Sequence, residues 1–188
     1  MSTTGQIYPT SVRTSVTQIG DLDWSSAVQI YTNDGAGANV TAATFDISVF
    51  SRTLKAVGFV FPAGLSAGAT INGVIARIEG WDNNSCRLVS VDLLNAGLKV
   101  GSAKAGLSNS FSTVTTIVSM GASTDDWGWL SGGNILDPAA VGHSQFGLGI
   151  RLLATANNND TWIDYVTLEV IYDLSAESNV TNVKFVEC

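Results

Sequence analysis

Alternation of apolar and polar residues, recurring along the chain, constrains this sequence more than any other feature. It is clearest over 162–172, WIDYVTLEVIY. There Trp162, Val166, Leu168, Val170 and Tyr172 fall on one face, with Asp164 as a polar intruder. Ile163, Tyr165, Thr167, Glu169 and Ile171 fall on the other. A period of two is the mark of a strand whose faces meet different surroundings. Residues 144–153 repeat it, with Phe146, Leu148, Ile150 and Leu152 opposed to Gln145, Gly147, Gly149 and Arg151. In 70–81 the pattern predicts Val74, Ala76 and Ile78 inward and Arg77, Glu79 and Trp81 outward. Further strand candidates are 10–18, 41–49, 54–61, 85–94, 97–103 and 111–119, with 180–186 as a candidate extra strand. No stretch carries the 3.6-residue period of a long helix.

The connections are written in turn chemistry. Asn33-Asp34-Gly35-Ala36-Gly37 and Pro62-Ala63-Gly64 read as loops. Asp82-Asn83-Asn84-Ser85 reads as a four-residue hairpin loop, and Asn157-Asn158-Asn159-Asp160 has the same role before the last long strand. These residue types tolerate positive φ or bond their own backbone. Asn72-Gly73 lies inside a continuing run, which predicts a bulge or strand start rather than a hairpin. Residues 121–143 break the rhythm. Within them Asp137 is a helix N-cap, Pro138 suits the first helical position, and a single turn to about Val141 ends at Gly142.

Several short strands with almost no helix predict an all-β chain, a jelly-roll-like antiparallel β-sandwich with at most one or two short helical turns. Strand number and long crossovers favour a jelly roll over an immunoglobulin-like sandwich, whose Cys…Trp…Cys spacing is absent. The 188 residues make one domain: an N-terminal arm over 1–9, the sandwich over 10–173, and a C-terminal tail over 174–188. At 45% apolar the chain can fill a core without disulfide staples. Cys86 is expected as a reduced core residue; whether it pairs with Cys188 is left open.

Charge narrows the function classes. Charged residues make up 13%, and 16 acidic against 9 basic residues leave a net charge of −7. This argues against nucleic-acid binding, which calls for a basic surface, and against a Lys-rich membrane-surface segment. No run approaches the roughly 18 apolar residues of a membrane span. Met1–Thr10 lacks the basic start and apolar stretch of a signal peptide, so the expectation is synthesis in a host cytoplasm.

Motifs for chemistry are sparse. His143 is the one histidine and reads as a loop residue beside a helix end rather than a catalytic base. One His and two distant Cys fall short of a zinc set, and no EF-hand spacing is present. No metal or cofactor is predicted. The carboxylate pairs Asp21/Asp23, Asp125/Asp126 and Asp160/Asp164 would have to face each other for glycoside hydrolysis; turn or cap roles are the plainer reading. Trp81, Trp127, Trp129 and Trp162 either plug the sandwich ends or form a platform for sugar rings. Plugging is the plainer reading, and Trp127 and Trp129 are the candidate exceptions because they lie in the irregular loop. With Asp125 and Asp126 they are the candidate ligand-binding residues.

Four stretches together carry a resemblance. They are Trp24-Ser25-Ser26-Ala27; Phe61-Pro62-Ala63-Gly64 with Gly68–Val74 and Arg77-Ile78-Glu79; Ser123–Gly128 with Leu136–Ala139 and Gln145–Leu148; and Ile163–Tyr172. Over about residues 20–172 the chain resembles the jelly-roll accessory domain of structural proteins in tailed-bacteriophage virions. The resemblance implies a phage setting and carries no catalytic residues over. It leads to the expectation of a non-enzymatic virion structural protein, a decoration or cement protein that binds and stabilises the major capsid lattice. Partners would be the major capsid protein or other virion subunits and further copies of itself, a trimer among the options, with no nucleic acid and no membrane. The alternative is a tail or fibre adhesin that binds host glycan through the 121–143 loop.

Overall fold

In the computed structural model the strands pair as one long hairpin wound around itself. The structure describes residues 1–15, 21–41, 46–61, 65, 68–104, 110–129 and 136–174. Its strands are β1 (Ser2–Thr3), β2 (Ser11–Thr14), β3 (Ala38–Val40), β4 (Leu54–Val57), β5 (Thr70–Asp82), β6 (Cys86–Asn95), β7 (Leu98–Val100), β8 (Thr116–Gly121), β9 (Gly147–Ala154) and β10 (Thr161–Asp173). β3 pairs with β10, β4 with β9, β5 with β8 and β6 with β7, all antiparallel. Two further pairings, β5 with β10 and β6 with β9, close the winding. One sheet therefore runs β3-β10-β5-β8 and the other β4-β9-β6-β7, the eight-stranded jelly roll of two Greek keys. β1 adds to β10 in the first sheet and β2 to β4 in the second.

The core fills the space between the sheets. Phe146, Leu148, Ile150 and Leu152 point inward, as do Val74, Ala76 and Ile78, in agreement with the sequence periodicity. β10 departs from it. A register shift between Ile163 and Tyr165 places a bulge at Asp164, so Ile163 joins Val166, Leu168 and Val170 in the core. Trp162, expected beside Val166, lies half-buried across from Trp81. The second bulge opposes Ile171/Tyr172 to Gly73/Ile71 and leaves Asn72 as the extra residue, as its Asn-Gly pair predicts.

Neither Asn-rich loop is a hairpin. Asp82–Cys86 carries the chain from one sheet to the other, and so does the 154–161 connection, because β5 and β6, like β9 and β10, belong to different sheets. The two crossings lie side by side. The Asn83 amide donates to Asp160 Oδ2 (3.0 Å), Asp160 N donates to Asn83 Oδ1 (2.6 Å), and Asn84 donates to Asn157 O (2.8 Å). The same residue types suit hairpins and crossovers; only the choice of distant partner separates them.

The described residues of the predicted 41–49 strand, 41 and 46–49, belong to no strand, and β8 begins at Thr116, after a turn in which Ser112 and Thr116 hydroxyls both donate to Val114 O. The 180–186 candidate lies outside the described residues. Two short helical pieces occur among the described residues. A 3-10 turn over Ala27–Tyr31 buries Ile30. Helix α1 spans Pro138–Val141, capped by Asp137, whose carboxylate accepts from Ala140 N, and closed at Gly142. Residues 1–9 are not a free arm. Ser2 and Thr3 pair with Tyr172 and Ile171, Ile7 with Leu168, and the Met1 amino group with Asp173 at 2.8 Å. The edge of β10 needs partners there, and this segment supplies them.

Candidate functional site

The candidate ligand-binding residues of the sequence form a structural device. Val74 lies one residue beyond the stretch of β5 that β8 covers, Ile75 to Gly80. Its backbone groups lose a strand partner at that point, and residues 125–127 replace it. Val74 N donates to Asp125 O (3.1 Å), and Trp127 Nε1 donates to Val74 O (2.9 Å). Two successive Asx turns hold the loop in place: Asp125 Oδ1 accepts from Trp127 N (2.8 Å) and Asp126 Oδ1 from Gly128 N (2.9 Å). Trp127 and Gly128 take positive φ, 57° and 68°. Lys104 pairs with Asp125 at 2.8 Å.

Trp127 is 0% and Trp129 1% exposed. This corrects the expectation that they stand out from the loop to stack on a sugar. An open end of a sandwich exposes apolar side chains from both sheets, and two indoles cover them at large gain. Trp129 packs near Phe146, with ring centroids 6.3 Å apart. Residues 130–135 of the 121–143 loop lie outside the described residues.

The other carboxylate pairs are also committed. Asp21 pairs with Arg151 (2.5 Å) and Asp23 with Arg52 (2.9 Å). Asp160 belongs to the crossover loops, and the buried Asp164 accepts from Asp34 N (3.4 Å) and Gly35 N (3.1 Å). Cys86 is buried, and burial pushes its thiol up to about 12, which leaves no thiolate at neutral pH. His143 is exposed, its Nδ1 accepting from Gln145 N (3.0 Å). Among the described residues no group of three or more His, Cys, Asp or Glu is placed to hold a metal. Comparison with protein-family models and with curated proteins finds no match to this chain.

Two features away from residues 125–129 remain uncommitted. The first is the edge strand β8, Thr-Ile-Val-Ser-Met-Gly. It pairs with β5 on one side, and no described residue pairs with the other. Ile117 is 51% exposed, and Val114, just before the strand, 68%. Edges usually carry a charge that discourages strand addition; β2 has Arg13 and β7 has Lys99, whereas β8 has none. β8 overlaps the strand expected over 111–119, but its edge position depends on pairing across the whole chain.

The second lies on the outer face of the same sheet. The bulge at Asp164 turns Trp162 outward against its cross-strand partner Trp81, and the two indoles stack with centroids 5.7 Å apart and planes 11° apart. Beside them a groove of about 580 Å³ opens between the 33–35 and 113–115 loops.

Proposed function

We propose that this chain is a non-enzymatic structural protein of a phage virion, a decoration or cement protein that binds and stabilises the major capsid lattice as a symmetric oligomer. The observation that carries the assembly reading is the open, uncharged edge of β8 in a chain of net charge −7. Copies that each carry this excess repel one another over most of their surfaces, and an uncharged edge can pair without setting like charges opposite. The partner committed to at this edge is a second copy of the chain, added as an antiparallel strand with Ile117 at the contact. Low overall charge lowers the desolvation cost of wide contacts. The phage setting comes from the four stretches of sequence resemblance. Residues 1–9 pair with β10 of their own chain.

The deciding experiment counts copies in purified particles of the phage that encodes the chain. Copy number on the scale of the capsid lattice is expected; absence from the particles overturns the reading, and a handful per particle moves the protein to the tail or portal. For the edge itself, Ile117→Lys should lower the mass measured by light scattering from oligomer to monomer without altering the melt. A wild-type protein that is monomeric at micromolar concentration refutes self-pairing.

A further inference from the structure

We propose that the groove beside Trp81 is a binding site for a neutral carbohydrate. Trp162 stacks on one face of Trp81 and takes no part in the groove, so the stack fixes the indole and leaves its remaining surface to a ligand. An aromatic ring held rigid before binding loses little freedom on complex formation. The volume, about 580 Å³, falls within the range of small-molecule sites.

The polar groups around the ring specify the ligand class. Asp164 is buried, and its two oxygens accept the Asp34 and Gly35 N–H groups. Glu79 is buried close to the Tyr165 hydroxyl. Both carboxylates are thus tied into the protein, yet their charge rejects phosphates and other anions, and no described residue lining the groove is cationic. The groups left free are neutral. Asn33, Thr113 and Thr115 are exposed, and none makes a side-chain hydrogen bond among the described residues. An apolar ring flanked by uncommitted amide and hydroxyl groups matches a pyranose, which has an apolar face and a rim of hydroxyls that donate and accept. Glu79 and Asp164 line the groove but are only 8% and 1% exposed, and choline is the probe that tests their attraction for a cation.

This site is distinct from the 121–143 loop and independent of the virion reading, since particle copy number and sugar binding can fail separately. The test is titration of the full chain with short neutral gluco-, galacto- and manno-oligosaccharides, followed by calorimetry and tryptophan fluorescence, with choline and inorganic phosphate as comparison probes. At least one oligosaccharide should bind and perturb the fluorescence, and Trp81→Ala should weaken it about tenfold. Because Trp81 is half-buried and its loss can disturb the fold, Asn33→Ala and the double variant Thr113→Ala/Thr115→Ala, all exposed, carry the test in parallel. They should weaken binding without moving the melting temperature. No binding by any oligosaccharide, binding unchanged by these variants, or preference for choline or phosphate overturns the proposal.

Discussion

Replacing each loop tryptophan by phenylalanine separates a structural indole from a merely buried one. Trp127→Phe and Trp129→Phe remove similar volume from sites of the same burial, so the packing loss is comparable. Their N–H groups differ. Trp127 Nε1 donates to Val74 O at 2.9 Å, and phenylalanine leaves that carbonyl without a partner, at a cost of about 1–3 kcal/mol. Trp129 Nε1 is buried and has no partner among the described residues, so the same replacement removes an unsatisfied donor and recovers a similar amount. Trp127→Phe should therefore be less stable than Trp129→Phe by at least about 2 kcal/mol. For a domain of this length that separates the melting temperatures by about 4–8 °C. Urea unfolding monitored by far-UV circular dichroism gives the free energies, and scanning calorimetry gives the temperatures. Equal losses, or a larger loss for Trp129→Phe, would refute the claim that Trp127 completes the β5 ladder.

Backbone geometry makes a second contrast. Gly121 has φ +84°, and a Cβ there would press into the Val74 carbonyl oxygen and sit 2.7 Å from Trp127 Nε1. Gly121→Ala should cost about 3 kcal/mol or more, whereas Gly35→Ala, at φ +76° with nothing within 4 Å, should cost only about 1 kcal/mol in urea unfolding. Acid stability should carry two opposite signatures. The Thr3 hydroxyl and the Arg77 guanidinium hold Glu169 below its ordinary value of 4.5, so its contribution is complete above that value and is lost as pH falls through the lowered one; Glu169→Gln should flatten this acid limb. Burial raises Asp82 above its ordinary 3.8, so its contribution is complete below that value and is lost as pH rises through the raised one, and Asp82→Asn should abolish that fall in urea midpoints measured across the acid range. In a Cys188→Ser background, Cys86 should resist iodoacetamide at pH 8 until the protein unfolds, since its thiol titrates at about 12; rapid alkylation of the native protein would contradict its burial.

What the sequence discloses divides along the range of the interaction. The Asn72 bulge was legible because an Asn-Gly pair carries its own turn chemistry, and α1 because Asp137, Pro138 and Gly142 are all local signals. The Asp164 bulge was not, since the groups that fix it, the Asp34 and Gly35 N–H donors, are about 130 residues away. One unforeseen bulge then moved Trp162 to the outside and Ile163 to the core, which created the stack with Trp81. The 82–85 segment has the composition of a hairpin, yet β5 finds its partners in β8 and β10. Trp127 and Trp129 lie in a loop, and loop position alone suggested exposure; their burial follows from the gap beyond β8 that the loop fills.

These contacts close both ends of the sandwich. At one, the two crossover loops bind each other through Asn83, Asn84 and Asp160. At the other, residues 125–129 extend the β5 ladder and seat two indoles near Phe146. Polar groups at the ends are occupied by the fold itself, and altering them changes stability before it changes binding. The free hydroxyls of Thr113 and Thr115, the Asn33 amide and the unpaired side of β8 lie instead on one outer face and its edge. A substitution at either end should therefore act through the melting temperature, while one at the exposed Asn33, Thr113, Thr115 or Ile117 should act on ligand or partner with the melt unchanged, and this separates fold from function even before a partner is known.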